Sequence, residues 1–186
     1  MLKRGFKTQC EQRSLTVRKG LGLAPVAPLN AMDLATHLGV TVWSADEVRD
    51  LPSSDRQHLL EVAPDEWSAF VLYESGKFLV LYNPRHSPGR TNSDIMHELA
   101  HIILGHGLTE VQETNDGHLL SGHHDKDQED EANWLGGTLL LPRPALIWMR
   151  RRRLSDEAAA DHFGVSRDMM KWRVRMTGVD YQLARS

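Results

Sequence analysis

Apolar residues recur along this chain at three-to-four-residue spacing in some stretches and two-residue spacing in others, an α+β pattern. Residues 5–19 form a polar helical stretch ended near Gly20 and Gly22. Ala24-Pro25-Val26-Ala27-Pro28 cannot continue it, because each proline lacks an amide donor and restrains the residue before it. Asn30 reads as the N-cap of a short helix carrying Met32, Leu34 and Leu38 and closed by Gly39. Val40-Thr41-Val42-Trp43 follows as a strand, and residues 67–82 predict a hairpin turning at Glu74-Ser75-Gly76. Asn83-Pro84 and Ser87-Pro88-Gly89 break its second strand. A helix is expected from about Thr91-Asn92-Ser93, burying Ile95, Met96, Leu99, Ile102 and Ile103 and ending at Gly105 and Gly107. Leu108 to Asp127 reads as a long polar loop dotted with histidines, a length often associated with function. A further helix spans about Asp127 to Leu141 and is stopped by Pro142 and Pro144. The tail 144–178 predicts two or three short helices, with Ser155 and Ser166 as caps and Gly164 and Gly178 at ends.

Composition adds exclusions. The 186 residues are 40% hydrophobic and 25% charged, an ordinary globular balance. No apolar run reaches the roughly 18 residues of a membrane span, and the first residues have charge without an apolar stretch behind it, so no secretory signal is expected. The single cysteine, Cys10, excludes an intrachain disulfide and suits a reducing compartment. A cytoplasmic location without membrane contact is therefore expected. The net charge of −3 conceals +5 over residues 1–20, −13 over 21–142 and +5 over 143–186. Basic ends either contact nucleic acid or pack onto the acidic centre.

The chemistry centres on His97-Glu98-Leu99-Ala100-His101. On a helix, positions i and i+4 share a face, so both imidazoles can reach one metal ion. Glu98 beside them can take a proton from a water whose pKa zinc brings to about 7. A tetrahedral site needs a third protein ligand. His106 lies nine residues after His97, not at the ten-residue spacing of the extended H-E-x-x-H-x-x-G-x-x-H pattern, and reads as a helix-end residue. Glu129 is the favoured third ligand, because its helical face continues through Ala132, Asn133, Gly136 and Gly137, small enough for two helices to approach closely. The face of Glu131 runs through Trp134, Leu135, Thr138 and Leu139 and reads as core. Asn133, one turn from Glu129, is a candidate to orient a ligand by hydrogen bonding. Manganese or iron also suits a two-His, one-Glu set.

Ile95-Met96-His97-Glu98-Leu99-Ala100-His101-Ile102-Ile103-Leu104-Gly105-His106, followed by Glu129-Asp130-Glu131-Ala132-Asn133 and Leu139-Leu140-Leu141-Pro142, resembles the ImmA/IrrE family of metallopeptidases. The resemblance is tight over about 78–142 and looser over 31–175. It implies that His97, His101 and Glu129 hold zinc, that Glu98 is the catalytic base, and that the substrate is a helix-turn-helix repressor of mobile-element, DNA-damage or anti-phage genes. Leu135-Gly136-Gly137 departs from the Phe-Ala-Ala often found in relatives, which touches local packing. The expected fold is α+β, a small antiparallel or mixed sheet against a helical H-E-x-x-H zinc-peptidase core with a helix-turn-helix-like tail. The expected division is a metallopeptidase core with its basic helix over 1–142 and a basic helical subdomain over 143–186.

The catalytic oxyanion needs a donor, and Tyr82, His106, His118 and Arg143 are candidates. The strand Phe78–Tyr82 is either a sheet edge that accepts an extended substrate or a core hairpin strand. Ala158 to Ser166, leading into Met170, Trp172 and Arg173, has helix-turn-helix spacing. With Arg150, Arg151, Arg152 and Arg153 in front, it is a candidate nucleic-acid or substrate contact, and single-stranded DNA is a candidate activator. Cys10 lies among Lys and Arg that favour a thiolate, which makes it a candidate inhibitory ligand of the metal, against the commoner role of a free cysteine as a buried packing residue. A metal-stabilised sensor or DNA-binding regulator that does not hydrolyse is the alternative; the intact Glu98 argues against it, because structural zinc needs no base.

Overall fold

The structure, a computed structural model, describes residues 2–48, 54, 57–62, 65–74, 76–106, 112–113, 119–120 and 125–185. Helix α1 spans Phe6–Gly20 and α2 spans Ala31–Leu38. Strand β1, Thr41–Ser44, leads through a single π-type turn at His58–Val62 to the hairpin of β2, Ala69–Glu74, and β3, Lys77–Tyr82. Helix α3 spans Pro88–Leu104. Two short paired strands follow, β4 at Gln112–Glu113 and β5 at Leu119–Leu120. Helix α4 covers Lys126–Leu140. Beyond it come α5, Arg143–Arg151, α6, Asp156–Phe163, α7, Arg167–Thr177, and α8, Val179–Leu183. The molecule is α+β with a small mixed sheet. No helix among the described residues is long and apolar enough to cross a membrane.

Strand β3 lies in the centre of the sheet, parallel to β1 and antiparallel to β2. The reading of Phe78–Tyr82 as an accepting edge is therefore corrected: both sides of β3 are already hydrogen-bonded, and the edges are β1 and β2. Val42, Val80 and Val71 are aligned across the three strands and face the main core, where Val80 is fully buried. Leu81 and Phe70 face a smaller cluster with Ala45 and Leu60. The alternation of a half-buried sheet thus serves two cores at once.

Helix α3 starts at Pro88, three residues before the expected Thr91. Ser87 takes the N-cap position, and Pro88 at the first helical position loses no hydrogen bond. Gly89 belongs to the first turn because a Cβ there would lie 2.6 Å from the Val165 carbonyl oxygen, so the α6–α7 turn packs directly on its backbone. Asn92 ties the same region together: its Oδ1 accepts from the Ala31 amide at 2.7 Å, and its Nδ2 donates to the Gly164 carbonyl at 2.7 Å. Pro142 and Pro144 end α4 and also begin α5, occupying its N-cap and first turn. The tail 144–178 carries three short helices, as expected, and Gly178 at φ 61° restarts the chain into a fourth, α8, beyond that range. Part of the expected loop 108–127 is the β4–β5 pair, and the rest of its central portion lies outside the described residues. Gly107 and Ser75, given as a helix end and a turn residue, lie outside them too.

Helices α3 and α4 cross where Gly136 meets the backbone of Met96 and His97; a Cβ at Gly136 would sit 3.3 Å from the Met96 carbonyl oxygen. One residue on, about 100° around the helix, Gly137 faces α7, and a Cβ there would lie 2.6 Å from the Trp172 ring and 2.9 Å from Arg173 Cδ. This explains the paired glycines. Gly137→Ala is expected to cost about 1–3 kcal/mol from overpacking, outweighing the ~1 kcal/mol that alanine gains in helix propensity. Gly136→Ala, with a looser contact, should cost less. Urea unfolding midpoints of the two variants measure the order.

The C-terminus of α4 is closed by side chains from both ends of the chain. The Ser14 hydroxyl donates to the Thr138 carbonyl at 2.9 Å. Arg18 donates to the carbonyls of Leu139 at 2.6 Å and Leu140 at 3.1 Å. Arg173 donates twice to Leu141, at 3.1 and 3.0 Å. The last carbonyls of a helix have no internal partner and carry the negative end of its dipole, so two fully buried guanidiniums are stabilised there. The basic ends therefore do pack in part on the acidic centre: Phe6, Cys10, Ser14 and Arg18 form a buried stripe at four-residue spacing along α1.

Candidate metal centre

His97 and His101 stand one turn apart on α3 with their Nε2 atoms 3.0 Å apart. The first turn of α4, started by Asp125 as N-cap, lays Glu129 across them. One Glu129 oxygen is 3.2 Å from His97 Nε2 and the other 3.3 Å from His101 Nε2. A tetrahedral ion with bonds of about 2.0–2.1 Å separates its donors by about 3.3 Å, so two neutral nitrogens and a carboxylate at these spacings fit a zinc-sized cation without rearrangement. Burial works to lower the His97 pKa, but its hydrogen bond to Glu129 and the charges of Glu98, Glu129 and Asp94 hold it above its ordinary value.

Behind His101 lies a second arrangement that the sequence reading missed. Gly105, at φ 67°, reverses the chain so that His106 returns onto the helix, its amide donating to the His101 carbonyl at 3.1 Å. His106 Nδ1 is 3.0 Å from His101 Nδ1, and His106 Nε2 is 3.3 Å from Glu131 Oε2. One proton pattern satisfies the whole chain. Glu131 accepts from His106 Nε2–H, His106 Nδ1 accepts from His101 Nδ1–H, and the His101 Nε2 lone pair is left facing Glu129. His106 is thus more than a helix end, and Glu131 is drawn to it rather than into the core. The signal was available in Gly105-His106, since a glycine closing a helix folds the next residue back onto the last turn.

Glu98 lines a cavity of about 730 Å³ that also opens onto His97. Burial pushes its carboxyl up to about 7, with His97 opposing and Glu129 and Asp94 adding to the rise. Asn133 is exposed on the cavity wall, and no hydrogen bond joins it to either histidine among the described residues. Of the oxyanion candidates, Tyr82 ends β3 beside Ser44, and Arg143 is held by the Thr177 carbonyl and Gln182; neither lines the cavity. His118 lies outside the described residues.

Cys10 is buried in the main core on α1 and is not one of the three clustered donors. The expected thiolate is reversed: burial outweighs Arg13 and Arg173 and pushes the thiol up to about 11. Two consequences follow in solution. A thiol reagent at pH 8 should leave native Cys10 unmodified and label it fully in urea. Because the folded thiol titrates above its ordinary 9.0, its contribution to stability is complete below pH 9 and is lost as pH rises toward 11. The midpoint of urea unfolding at pH 8 and 10, compared between wild type and Cys10→Ala, reads this directly.

Of the basic run, Arg150 is engaged within the chain, its Nη1 2.7 Å from Asp156 and its Nε 2.7 Å from Asp180. Arg152 covers the Trp148 ring, and Arg151, Arg152 and Arg153 are exposed. The helix-turn-helix spacing is realised by α6 and α7, but the face of α7 bearing Met169, Trp172 and Arg173 turns inward onto α4. It is not free to enter a DNA groove.

A comparison with curated proteins finds no match. Among solved structures, a Mycobacterium tuberculosis transcriptional regulator has the same fold, with a TM-score of 0.54 and 14% identity, over 92% of this chain. This chain spans about half of that protein's length, 47%. The model of the Peptidase_M78 family, the IrrE N-terminal-like domain, matches residues 59–175, which hold His97, Glu98, His101 and Glu129. With that match over more than half of its length, the chain belongs to the Peptidase_M78 family of IrrE N-terminal-like domains.

Proposed function

We propose that this chain is a cytoplasmic zinc-dependent endopeptidase that cuts a helix-turn-helix transcriptional repressor at one site and so releases stress, mobile-element or anti-phage genes. The observation that carries the reading is the convergence of His97, His101 and Glu129 at tetrahedral spacing, with Glu98 on the wall of the adjoining cavity. His97, His101 and Glu129 would hold the ion, and zinc is favoured over manganese or iron because H-E-x-x-H on a helix is a zinc-peptidase motif. A divalent cation there supplies Lewis acidity to a water and to the scissile carbonyl.

The chain's own residues do the rest. The Glu131–His106 pair holds His101 in one tautomer and orientation. Glu98 takes the proton of the attacking water and returns it to the leaving amine, and a carboxyl pushed up to about 7 exchanges a proton near neutrality. The strand available to an extended substrate is β2, whose outer edge is unpaired among the described residues and whose preceding Ser68 lines the cavity. In this reading residues 1–142 are the peptidase core and 143–186 a basic helical subdomain, and Asn133 meets the substrate rather than a ligand. Single-stranded DNA acts as an activator through Arg151, Arg152 and Arg153, with Arg150 holding that run in place. Cys10 serves packing.

The test is incubation of the zinc-loaded protein with the helix-turn-helix protein encoded beside it, with and without single-stranded DNA and a chelator. One discrete, chelator-sensitive cut, located by mass spectrometry, is the expected result. An intact target in every condition would return the weight to a non-hydrolytic sensor.

A further inference from the structure

We propose that α7 forms one wall of the substrate cleft and that this cleft selects an extended peptide carrying a large apolar side chain beside a lysine or arginine. The inference rests on the peptidase reading above and adds to it the class of sequence that is cut.

The cavity of about 730 Å³ falls within the 300–1,000 Å³ range of ligand sites, room for several side chains rather than a water-filled crevice. Part of its lining is apolar. Trp134 of α4 and Trp172 of α7 meet edge to face at 5.6 Å, and Met169 and Met176 of α7 flank them. Met176 is 42% exposed, an apolar surface at the cavity. Thioether side chains adapt their shape, so this wall suits a bulky apolar group without demanding one residue type.

The rim has the opposite character. Asp94, Asp130 and Asp168 all line the cavity. Asp94 is 2.8 Å from His86 and 3.8 Å from Arg90, so its charge is shared. Asp130 and Asp168 have no ion-pair partner among the described residues. Lys7 faces the same space, over the Trp134 ring at 3.8 Å, and supplies the opposing charge of the lining. A metal ion's two charges would be offset by Glu129 and in part by Glu98, which leaves three aspartates against Lys7 and a lining that is negative on balance. Phosphate is repelled from such a cleft and a guanidinium or ammonium is drawn in. The inward turn of α7 thus has a use: the face that packs toward α4 supplies Trp172 to the cleft, and Asp168 of the same helix lines it.

The test uses full-length, zinc-loaded Glu98→Gln, which binds without turnover, and three fluorescent decapeptides read by anisotropy. The first combines Leu and Phe with Lys and Arg. The second keeps the apolar residues but replaces the bases by Glu, and the third keeps the bases but replaces the apolar residues by Ser. The first peptide is expected to bind at least about tenfold more tightly than either of the others. Asp130→Asn with Asp168→Asn should reduce the charge preference to about threefold or less. Met176→Ser, an exposed change that spares the core, should reduce the size preference, as should Trp172→Ala if that variant folds. Equal affinities for the three peptides, or no binding of any, would overturn the proposal. Wild-type protein with the first peptide then separates the two claims. Selective binding without Glu98-dependent cleavage supports selection by the cleft and removes the peptidase reading. Glu98-dependent cleavage that ignores charge and size keeps that reading and removes the selection.

Discussion

His101→Ala should lower zinc affinity at least ~100-fold, since loss of a direct ligand exceeds the 10–100-fold typical of losing an outer partner. His101 is 1% exposed, so no water-filled space stands ready to replace its nitrogen cheaply. Glu129→Ala should act similarly, leaving two imidazoles 3.0 Å apart as a weak bidentate site. His106→Phe provides the graded comparison. It keeps all three donors but removes the acceptor for His101 Nδ1–H, and about a tenfold loss is expected. Competition against a chromophoric chelator gives the three affinities. Retention of wild-type affinity by His101→Ala would mean that the ion sits elsewhere.

The largest expected loss of stability follows from Arg173→Met. The substitution keeps much of the apolar stem but leaves the Leu141 carbonyl without either of its donors and the half-buried Glu11 carboxylate without its 2.9 Å partner. Breaking one side of a buried pair costs about 3–5 kcal/mol, which for a chain of this size corresponds to a fall of roughly 10 °C in Tm. Arg18→Met should behave alike, since Leu139 and Leu140 lose their donors together. Circular dichroism melts of the two variants provide the measurement. A shift below about 2 °C would mean that water enters and satisfies the carbonyls, and that the α4 terminus is less dry than its burial indicates.

How far the sequence could be read depended on where the determining interaction lay. Caps and periodicity are local, so Asn30, Ser155, Ser166 and the α3 apolar face led to elements that the structure contains. The spacing of His97 and His101 and the small-residue face of Glu129 are also local, and the structure brings those three side chains together. What was not legible was partnership between distant segments. The central place of β3 depends on a parallel return from β1, which no turn signal encodes. The close approach of Val165 to the first turn of α3 at Gly89 joins segments more than seventy residues apart. The polar character of α1 concealed a buried Arg18 whose partners lie more than a hundred residues away. Cys10 is the buried packing residue that free cysteines commonly are, and the thiolate reading fails because its charged neighbours in sequence are visible while the desolvation that outweighs them is not. The α6–α7 spacing did lead to two helices joined by a tight turn, but spacing does not say which way a helix faces.

The most direct test of the account compares wild type with Glu98→Gln at equal zinc occupancy, each mixed with the helix-turn-helix protein. Glu98 lines the cavity and is not one of the three clustered donors, so the variant should bind one zinc per chain, melt as wild type does, and cleave at least ~100-fold more slowly. Cleavage by the variant at the wild-type rate, with zinc bound in both, would contradict the account, because the water would then be activated by something other than Glu98.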